Sequence, residues 1–567
     1  MEKNWIIKPA PPEAISEIQK EFKLPEIYAR IMALRGISSR ADSRNFFFAD
    51  MTQLHDPFLM KNMDRAVEKV LTAIDSKKSV LIFGDYDVDG TTGTSMLYLF
   101  FKALYVDVHF YIPSREIEGY GVSIQGIDYA HSIGATLMIT CDCGINAFHQ
   151  VEYANSLGIE VIITDHHKPD KKLPDAFAIL NPNQTDCSYP FKGLCGAGVA
   201  FKLALAICEK RSLDPQIAWK HADLIALGTA ADLVPITDEN RIIVSYGLKL
   251  IQEGHKVGFQ SLLKTSGMKD TTINVGKLVF WIAPKINAAG RLGDAARAVK
   301  LLTSDNPVYA MKLAKELERE NIRRQDITRQ VVDEAVLMIN TECNLENDHA
   351  IVLANDRWHQ GVIGIVASRI RELYNRPVFI ISVENGIGKG SGRSISSFDL
   401  YDTLNSCEDL LIGFGGHPIA AGLSVEEDKI DEFRRRFIQL ANQNINKEKL
   451  VPHIYVDGEL AISQIDGRFI KFLESMSPYG PGNMRPKFIC RKLQVNGMPR
   501  VLGKDRDTIK FNVKSGRGEF EAIGFKMIDQ FEKLLLNRPI DIAFEIGENH
   551  WNGSTTIQLE VKDIKLG

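Results

Sequence analysis

Val80-Leu81-Ile82-Phe83-Gly84-Asp85-Tyr86-Asp87-Val88-Asp89-Gly90 decides the fold, because an aliphatic run of strand length passes directly into alternating aspartates. Two later stretches repeat the pattern: Leu137-Met138-Ile139-Thr140 leads into Cys141-Asp142-Cys143-Gly144, and Val161-Ile162-Ile163-Thr164 into Asp165-His166-His167. A fourth apolar run, Leu224 to Ala231, reads the same way and delivers Asp232 ahead of Leu233-Val234-Pro235. In an open parallel sheet, ligands bind in the crevice outside the carboxyl ends of the strands. Carboxylates and imidazoles gathered at such an edge suit hard or borderline divalent cations. The pattern therefore predicts metal-dependent phosphoester hydrolysis.

Rival readings of these motifs fail on spacing. Asp85-x-Asp87-x-Asp89-Gly90 imitates the start of a calcium loop, but the twelfth position is Met96 where that loop needs Glu, and a strand precedes it. Gly196-x-Gly198 lacks the third glycine of a dinucleotide fingerprint, since Phe201 stands there, and reads as a packed helix start. Gly386–Ser394 has no Gly-Lys-Ser/Thr at Walker spacing. It is read as a glycine-rich turn in which Lys389, Ser391 and Arg393 could cradle a phosphate with backbone amides, or as plain surface. Two adjacent imidazoles after an aliphatic run are costly to bury without partners. One suits a metal ligand, and the other suits a proton donor to a phosphate. Two cations about 3.5–4 Å apart can share a carboxylate and neutralise an in-line phosphoryl transition state. Carboxylate oxygens favour magnesium or manganese, and a single histidine leans towards manganese.

The chain has 567 residues, too many for a single core, so about three or four domains are expected. Its 68 Lys+Arg against 72 Asp+Glu leave a formal charge of −4, so any polyanion must be held by local basic surfaces. The eight cysteines form no C-x-x-C pair and read as inert thiols, with neither structural zinc nor disulfides expected. There is no signal-peptide core and no run of ~20 apolar residues, so a cytoplasmic protein without a membrane span is expected.

Residues 1–48 read as a helical lead-in, broken early by Pro9, Pro11 and Pro12. Residues 49–306 alternate strand-like runs with amphipathic segments such as Met63–Ser76, Thr92–Leu104 and Ala147–Leu157, which predicts βαβ units on a parallel sheet. Residues 307–344 read as one long helix joining domains, and residues 345–450 as a smaller α/β domain. Residues 451–567, with short strands at His453–Val456, Phe488–Val495, Thr508–Val513 and Thr556–Val561, suit a five-stranded OB-like barrel. A basic field runs through it: Arg485, Lys487, Arg491, Lys492, Arg500, Lys504, Arg506, Lys510, Lys514 and Arg517. Polyanion contact is the preferred reading of that field. Phe488 and Phe511 could stack bases, though barrel core is the better reading for phenylalanines in strands.

The ordered set of Asp85-Tyr86-Asp87-Val88-Asp89-Gly90, Asp142-Cys143-Gly144, Asp165-His166-His167 and Ala231-Asp232 resembles the DHH phosphoesterase superfamily. Gly415-Gly416-His417 resembles the signature of its associated second domain. Further stretches resemble one branch of it, the bacterial 5′→3′ exonucleases specific for single-stranded DNA. They are Pro113-Ser114-Arg115, Glu118-Gly119-Tyr120-Gly121, Leu194–Ala200, Asn287–Arg291, Trp358–Gly364, Ser391–Ser394 and Gly480–Asn483.

The resemblance implies two catalytic lobes joined by a long helix, followed by an OB-type domain. It implies that Asp85, Asp87, Asp89, Asp142, His166 and Asp232 hold two Mn2+ or Mg2+ ions, with Asp142 as the bridge, and that His167 contacts the scissile phosphate. Arg115, Ser391 and Arg393 would form a 5′-phosphate pocket, with Arg291 and His417 near the path of the strand. Many superfamily members carry a histidine where this chain has Phe83, so one metal should lack an imidazole ligand. The expected partners are single-stranded DNA, a single-strand-binding protein and a helicase, and the expected state is a monomer. The expected activity is metal-dependent 5′→3′ hydrolysis to 5′-mononucleotides in recombination and repair, with a passage between the lobes too narrow for duplex. Two alternatives remain at this point. One is an enzyme acting on short oligoribonucleotides or cyclic dinucleotides, which the extra domain disfavours. The other is a DNA-binding scaffold without hydrolysis, which the retained aspartates disfavour.

Overall fold

The computed structural model describes residues 3–268, 271–516, 518–551 and 554–567, so Arg517 of the basic field lies outside the described residues. Its first strand, β1 (Asn4–Ile7), corrects the expectation of a purely helical lead-in. Short helices do follow, at Pro12–Phe22, Glu26–Ala33 and Arg40–Phe47.

The apolar runs of the first half form one five-stranded parallel sheet. Its strands are β2 (Val80–Gly84), β3 (Val108–Tyr111), β4 (Leu137–Cys141), β5 (Glu160–Thr164) and β6 (Ala178–Leu180), in the order β3-β2-β4-β5-β6. Both faces are covered, so the strands are apolar throughout, as a buried parallel sheet requires. Val80 and Ile82 enter the core on one side, while Leu81 and Phe83 enter the core on the other. Register places the chemistry. Gly84 lies opposite Cys141, and Cys141 opposite Thr164, so β2, β4 and β5 end level. Asp85, Asp142 and Asp165 therefore leave the sheet side by side.

The fourth run is not a strand. Ala222–Ala231 is a helix buried from Ala222 to Ala230, and Asp232 is its C-cap. An apolar run of this length has no exposed face to give a period, so pattern alone cannot separate a buried helix from a strand.

The chain divides into two compact units: Lys8–Glu320 with Asp457–Gly567, and Met1–Ile7 with Asn321–Val456. The helix Pro307–Glu342 contains the boundary between them. In the smaller unit, β7 (Ile351–Asn355), β8 (Val378–Glu384), β9 (Ile387–Arg393), β10 (Leu411–His417) and β11 (Ala420–Glu426) form a mixed sheet in the order β10-β11-β9-β8-β7. This corrects the reading of Gly386–Ser394 as a turn. Residues 387–393 pair with β8 on one side and β11 on the other, so their amides serve the sheet and cannot cradle a phosphate. The glycines are there for packing. A Cβ at Gly392 would sit 2.4 Å from the Phe379 ring, and one at Gly390 would sit 2.8 Å from Leu423.

A second correction concerns β12 (His453–Val456), expected in the barrel. It pairs in parallel with β1, in the smaller unit. The barrel comprises β14 (Lys487–Leu502), β15 (Thr508–Ser515), β16 (Gly518–Gly524), β17 (Ile540–Trp551) and β18 (Ser554–Leu566), with the short β13 (Gly458–Glu459) beside β14. Pairing of β14 with β17 closes it. Phe488 and Phe511 are barrel core, buried among Leu493, Ile542, Phe544 and Leu559, and are not base-stacking platforms.

Within the larger unit, Arg241 joins the barrel side to the helical layer of the parallel sheet. Its guanidinium donates to the carbonyls of Phe46, Ser475, Met476, Ser477 and Pro478, and lies 3.9 Å from the Phe46 ring centre. Arg241→Met keeps the bulk and removes every donor. We expect a loss on the order of 3 kcal/mol in a urea melt, because buried carbonyls are left unpaired.

Candidate metal centre

Seven of the expected residues meet at the carboxyl edge of β2, β4 and β5. Three overlapping groups have ligand atoms within 4.8 Å of one another: Asp85, Asp87 and Asp142; Asp89, His166 and Asp232; and Asp142, His166 and His167. His166 Nε2 is 3.2 Å from an Asp142 oxygen, 3.5 Å from Asp232 and 3.9 Å from Asp89. Despite this proximity, His166 Nε2, Asp85 Oδ1 and Asp142 Oδ1 are buried without a hydrogen-bond partner. Orphaned acceptors converging in this way are costly unless a cation satisfies them. The donor set fits Mn2+ or Mg2+: carboxylates with one aligned imidazole and no thiolate ligand. Burial, and then the neighbouring carboxylates, push the carboxyls of Asp85 and Asp232 up to about 8 and that of Asp142 well above the usual range. Bound cations would relieve that repulsion.

Each candidate ligand has its own local support. Asp87 caps the helix Val88–Ala103 by accepting from the Gly90 N–H at 3.0 Å. Asp89 accepts from the N–H groups of Gly196 and Ala197, at 2.6 and 3.0 Å, at the N-terminus of the helix Gly196–Lys210. That helix end holds a carboxylate of the chain itself, which the positive pole of a helix favours. Asp142 is in the left-handed region at φ 63°, and a Cβ at Gly196 would come within 2.5 Å of the Asp142 Cβ. Strain of this kind persists where the surroundings over-determine a functional position. Phe83 points away from the carboxylates, stacking on Tyr111 at 5.6 Å beneath the sheet. One of the three groups is accordingly carboxylate-only, while the others contain histidine.

Sequence reasoning missed several supporting groups. Asp165 is not among the expected site residues, although it begins the quoted Asp-His-His stretch. It is 1% exposed and accepts from the N–H groups of Ile145, His166 and His167 and from His167 Nδ1 at 2.7 Å. Burial disfavours an imidazolium at His167, yet the bond to Asp165 outweighs it and carries the ring up to about 9. His166, by contrast, is held below its ordinary value mainly by burial, the protonation state a metal ligand needs. Asn181 and Asn183 donate to the carbonyls of His167 and His166. The hydroxyl of Tyr120 stands 3.2 Å from His167 Nε2. Asp165 stands at a strand end in the sequence pattern, but its role, like that of the other groups, is recognisable only by what it touches.

Arg115 and Arg291 flank Tyr86, beside this edge. The Arg115 guanidinium is 5.5 Å from the Tyr86 ring centre. Arg291 lies on the helix Ala283–Leu292, where a Cβ at Gly290 would meet the Tyr86 carbonyl at 2.7 Å. Burial pushes the Tyr86 hydroxyl up to about 12, while both guanidiniums pull the other way.

Ser391, Arg393 and His417 belong to the smaller unit. Arg393 donates to Ser391 Oγ at 3.3 Å, and Gly364 makes room for both. His417 opposes Ala420, and Ala420 opposes Arg393, so His417 and Arg393 share a face about 10 Å apart. The basic field of the barrel is partly neutralised. Lys487, Arg491 and Lys510 pair with Glu545, Glu459 with Asp541, and Glu521 respectively. Arg500, Lys504, Arg506 and Lys514 stay exposed. Among the described residues, no helix is long and apolar enough to cross a membrane.

Comparison with known proteins matches three segments to family descriptions. Residues 79–229 match the DHH family N-terminal domain, residues 347–443 the DHHA1 domain, and residues 456–563 the RecJ OB domain. The chain is 35% identical over 562 residues to the single-stranded-DNA-specific exonuclease RecJ of Bacillus subtilis, covering 99% of this chain and 70% of that protein. It is 34% identical over 573 residues to RecJ of Salmonella typhimurium, covering 97% of this chain and 98% of that one. Among solved structures, RecJ of Thermus thermophilus in complex with Mn2+ superposes with a TM-score of 0.84 at 30% identity, covering 100% of this chain and 80% of that one. The Mg2+ complex of RecJ from the same organism gives a TM-score of 0.78 at 29% identity, covering 100% and 78%. The level strand ends, the carboxylate–histidine edge and the closed barrel thus belong to one lineage, and the chain is a member of the RecJ family of the DHH superfamily.

Proposed function

We propose that this chain is a divalent-metal-dependent exonuclease that hydrolyses single-stranded DNA from the 5′ end to 5′-mononucleotides, in DNA recombination and repair. The observation that carries this reading is the convergence of Asp85, Asp142 and His166 on one buried edge with three ligand atoms unpartnered. The division of the chain at residues 48, 306, 344 and 450 is part of the same proposal, with the strands Asn4–Ile7 and His453–Val456 reaching back to the smaller unit. So is a count of two ions, which Asp85, Asp87, Asp89, Asp142, His166 and Asp232 would hold, with Asp142 as the ligand that would serve both. When bound, such ions supply a hydroxide nucleophile at neutral pH and neutralise charge on the phosphoryl group in the transition state.

The protein's own side chains do the rest. His167 holds a proton at Nε2, because Asp165 occupies Nδ1 and stabilises the imidazolium. Nε2 is therefore the atom that donates to a scissile phosphate oxygen. The Tyr120 hydroxyl, 3.2 Å from Nε2 and 3.4 Å from Nδ1, limits the rotation of that ring. Arg115, exposed over Tyr86, meets the 5′-terminal phosphate, and Arg291 lies along the strand. In the smaller unit, Ser391 and Arg393 offer a hydroxyl and a guanidinium to a phosphate, with His417 on the same face. The exposed Arg500, Lys504, Arg506 and Lys514 attract the polymer, which favours long strands over dinucleotides as substrates. A single-strand-binding protein and a helicase are the partners this role calls for.

The direct test offers 5′-labelled single-stranded and blunt duplex oligonucleotides with Mn2+. We expect mononucleotide release from the 5′ end of the single strand, little from the duplex, and none after EDTA treatment. Equal degradation of both substrates, release from the 3′ end only, or activity surviving EDTA would count against the proposal.

A further inference from the structure

The loop between β3 and the helix Ile124–Ser132 delivers three groups to the catalytic edge, and one carboxylate off that edge secures it. Arg115 lies over Tyr86, the Tyr120 hydroxyl reaches His167, and the Gly121 N–H reaches Asp85. The loop's ends are buried at Ile112, Pro113 and Val122, while its middle remains to be fixed. Gly119 and Gly121 flank Tyr120 at φ 83° and 85°, and a Cβ on either would meet nothing within 4 Å. Two glycines in that region leave the unfixed loop with many conformations.

Glu118 removes that freedom. Its Oε1 accepts from the Ser114 N–H at 2.7 Å. Its Oε2 accepts from the Tyr111 hydroxyl at 3.0 Å and the Ser123 hydroxyl at 2.6 Å. Its own N–H donates to the Ser114 carbonyl at 2.8 Å, closing a turn around Arg115. The two hydroxyls belong to fixed elements. Tyr111 ends β3, and Ser123 caps the following helix by accepting from the Gly126 N–H. One carboxylate thereby ties the loop to a strand on one side and a helix on the other, with Arg115 on the turn between.

We propose that Glu118 is a positioning residue for recognition of the 5′-terminal phosphate, acting through Arg115. This rests on the reading of Arg115 as the group that meets that phosphate. A glutamine at 118 keeps the shape and loses the charge: its oxygen can still accept from Ser114, but its NH2 can meet the Tyr111 and Ser123 hydroxyls only by donating to them. Charge-assisted bonds are thereby exchanged for weaker neutral ones, and the turn carrying Arg115 is held less firmly.

The test measures kcat and KM of the full chain on single strands carrying either a 5′-phosphate or a 5′-hydroxyl. It compares the parent, Glu118→Gln, Arg115→Ala and the double variant. For Glu118→Gln we expect KM on the phosphorylated strand to rise about tenfold, the scale of a misplaced charge-assisted contact, with less change on the hydroxyl strand. In the Arg115→Ala background the second substitution should leave the phosphate preference unaltered. Tyr111→Phe removes one of the three bonds at little cost to folding and should give a smaller loss of the same preference. An unchanged preference in Glu118→Gln, or an effect that adds in full to that of Arg115→Ala, overturns the proposal. Arg115→Ala alone reports on the underlying reading. If its preference equals the parent's, Arg115 does not read the phosphate, and the role of Glu118 falls with it.

Discussion

Asp142→Asn is expected to lower nuclease activity by about 10³-fold or more while making the metal-free protein more stable. The first effect follows from its place in two of the three ligand groups, so that neutralising it weakens both. Cations at such a site contribute several kcal/mol of transition-state stabilisation, and about 4 kcal/mol corresponds to 10³ in rate. The second effect follows from burial. Asp142 is 2% exposed, and burial followed by the charges of Asp89, Asp87 and Asp85 pushes its carboxyl up. Without metal a carboxylate there costs free energy, and an amide of the same shape removes that cost. Melting in EDTA should therefore occur a few degrees higher in the variant, about 1 kcal/mol being roughly 2–4 °C for a domain of this size. The stabilisation by added Mn2+ seen in the parent should shrink. A variant with parental activity, or one less stable in EDTA, would mean that Asp142 is an ordinary strand-end residue.

Asp165→Asn is the second large effect, on the order of 10²–10⁴-fold in kcat, the range typical of a lost general acid. Its signature is in the pH profile. Asp165 keeps the His167 imidazolium in place to about 9, so the donor is present below that pH and is lost as pH rises through it. Removing the carboxylate takes away the largest of the effects that raise the ring's pKa, leaving only the weaker pull of Asp232 and Asp89 against burial, which favours the neutral ring. The His167 pKa then falls, and the alkaline limb of kcat should move to lower pH by more than one unit. An alkaline limb that stays in place in an active variant would show that the proton in use is not on His167. A purely structural defect would lower kcat at every pH without moving the limb.

Much of this molecule is legible along the chain because its parallel sheet is buried on both faces. Such strands must be short apolar runs, and their carboxyl ends must carry whatever is polar. The edge formed by Asp85, Asp142 and His166 can therefore be read before any coordinates. The long helix Pro307–Glu342 is equally visible from the period of its apolar residues. Legibility fails where periodicity carries no information. Leu224–Ala231 is apolar but for Thr229, so helix and strand look alike. Gly388, Gly390 and Gly392 look like a turn because glycine usually serves turns, whereas here they let Ile381, Leu423 and Phe379 lie flat on β9. His453–Val456 looks like a barrel strand because a strand does not encode its partner, and only β1 decides that.

The sequence by itself determined the class of chemistry, since hard carboxylates and paired imidazoles after apolar strands have few other uses. It also carried the family signature, which is local in the chain. Tertiary structure alone decided which groups make that chemistry work. Asp165 and Glu118 act by accepting hydrogen bonds from residues up to 20 positions away, and Gly196 by letting one backbone approach another. Hydrogen bonds and close packing are set by distance in space. A linear pattern records residue type and spacing, which is enough for strand ends and too little for contacts between them.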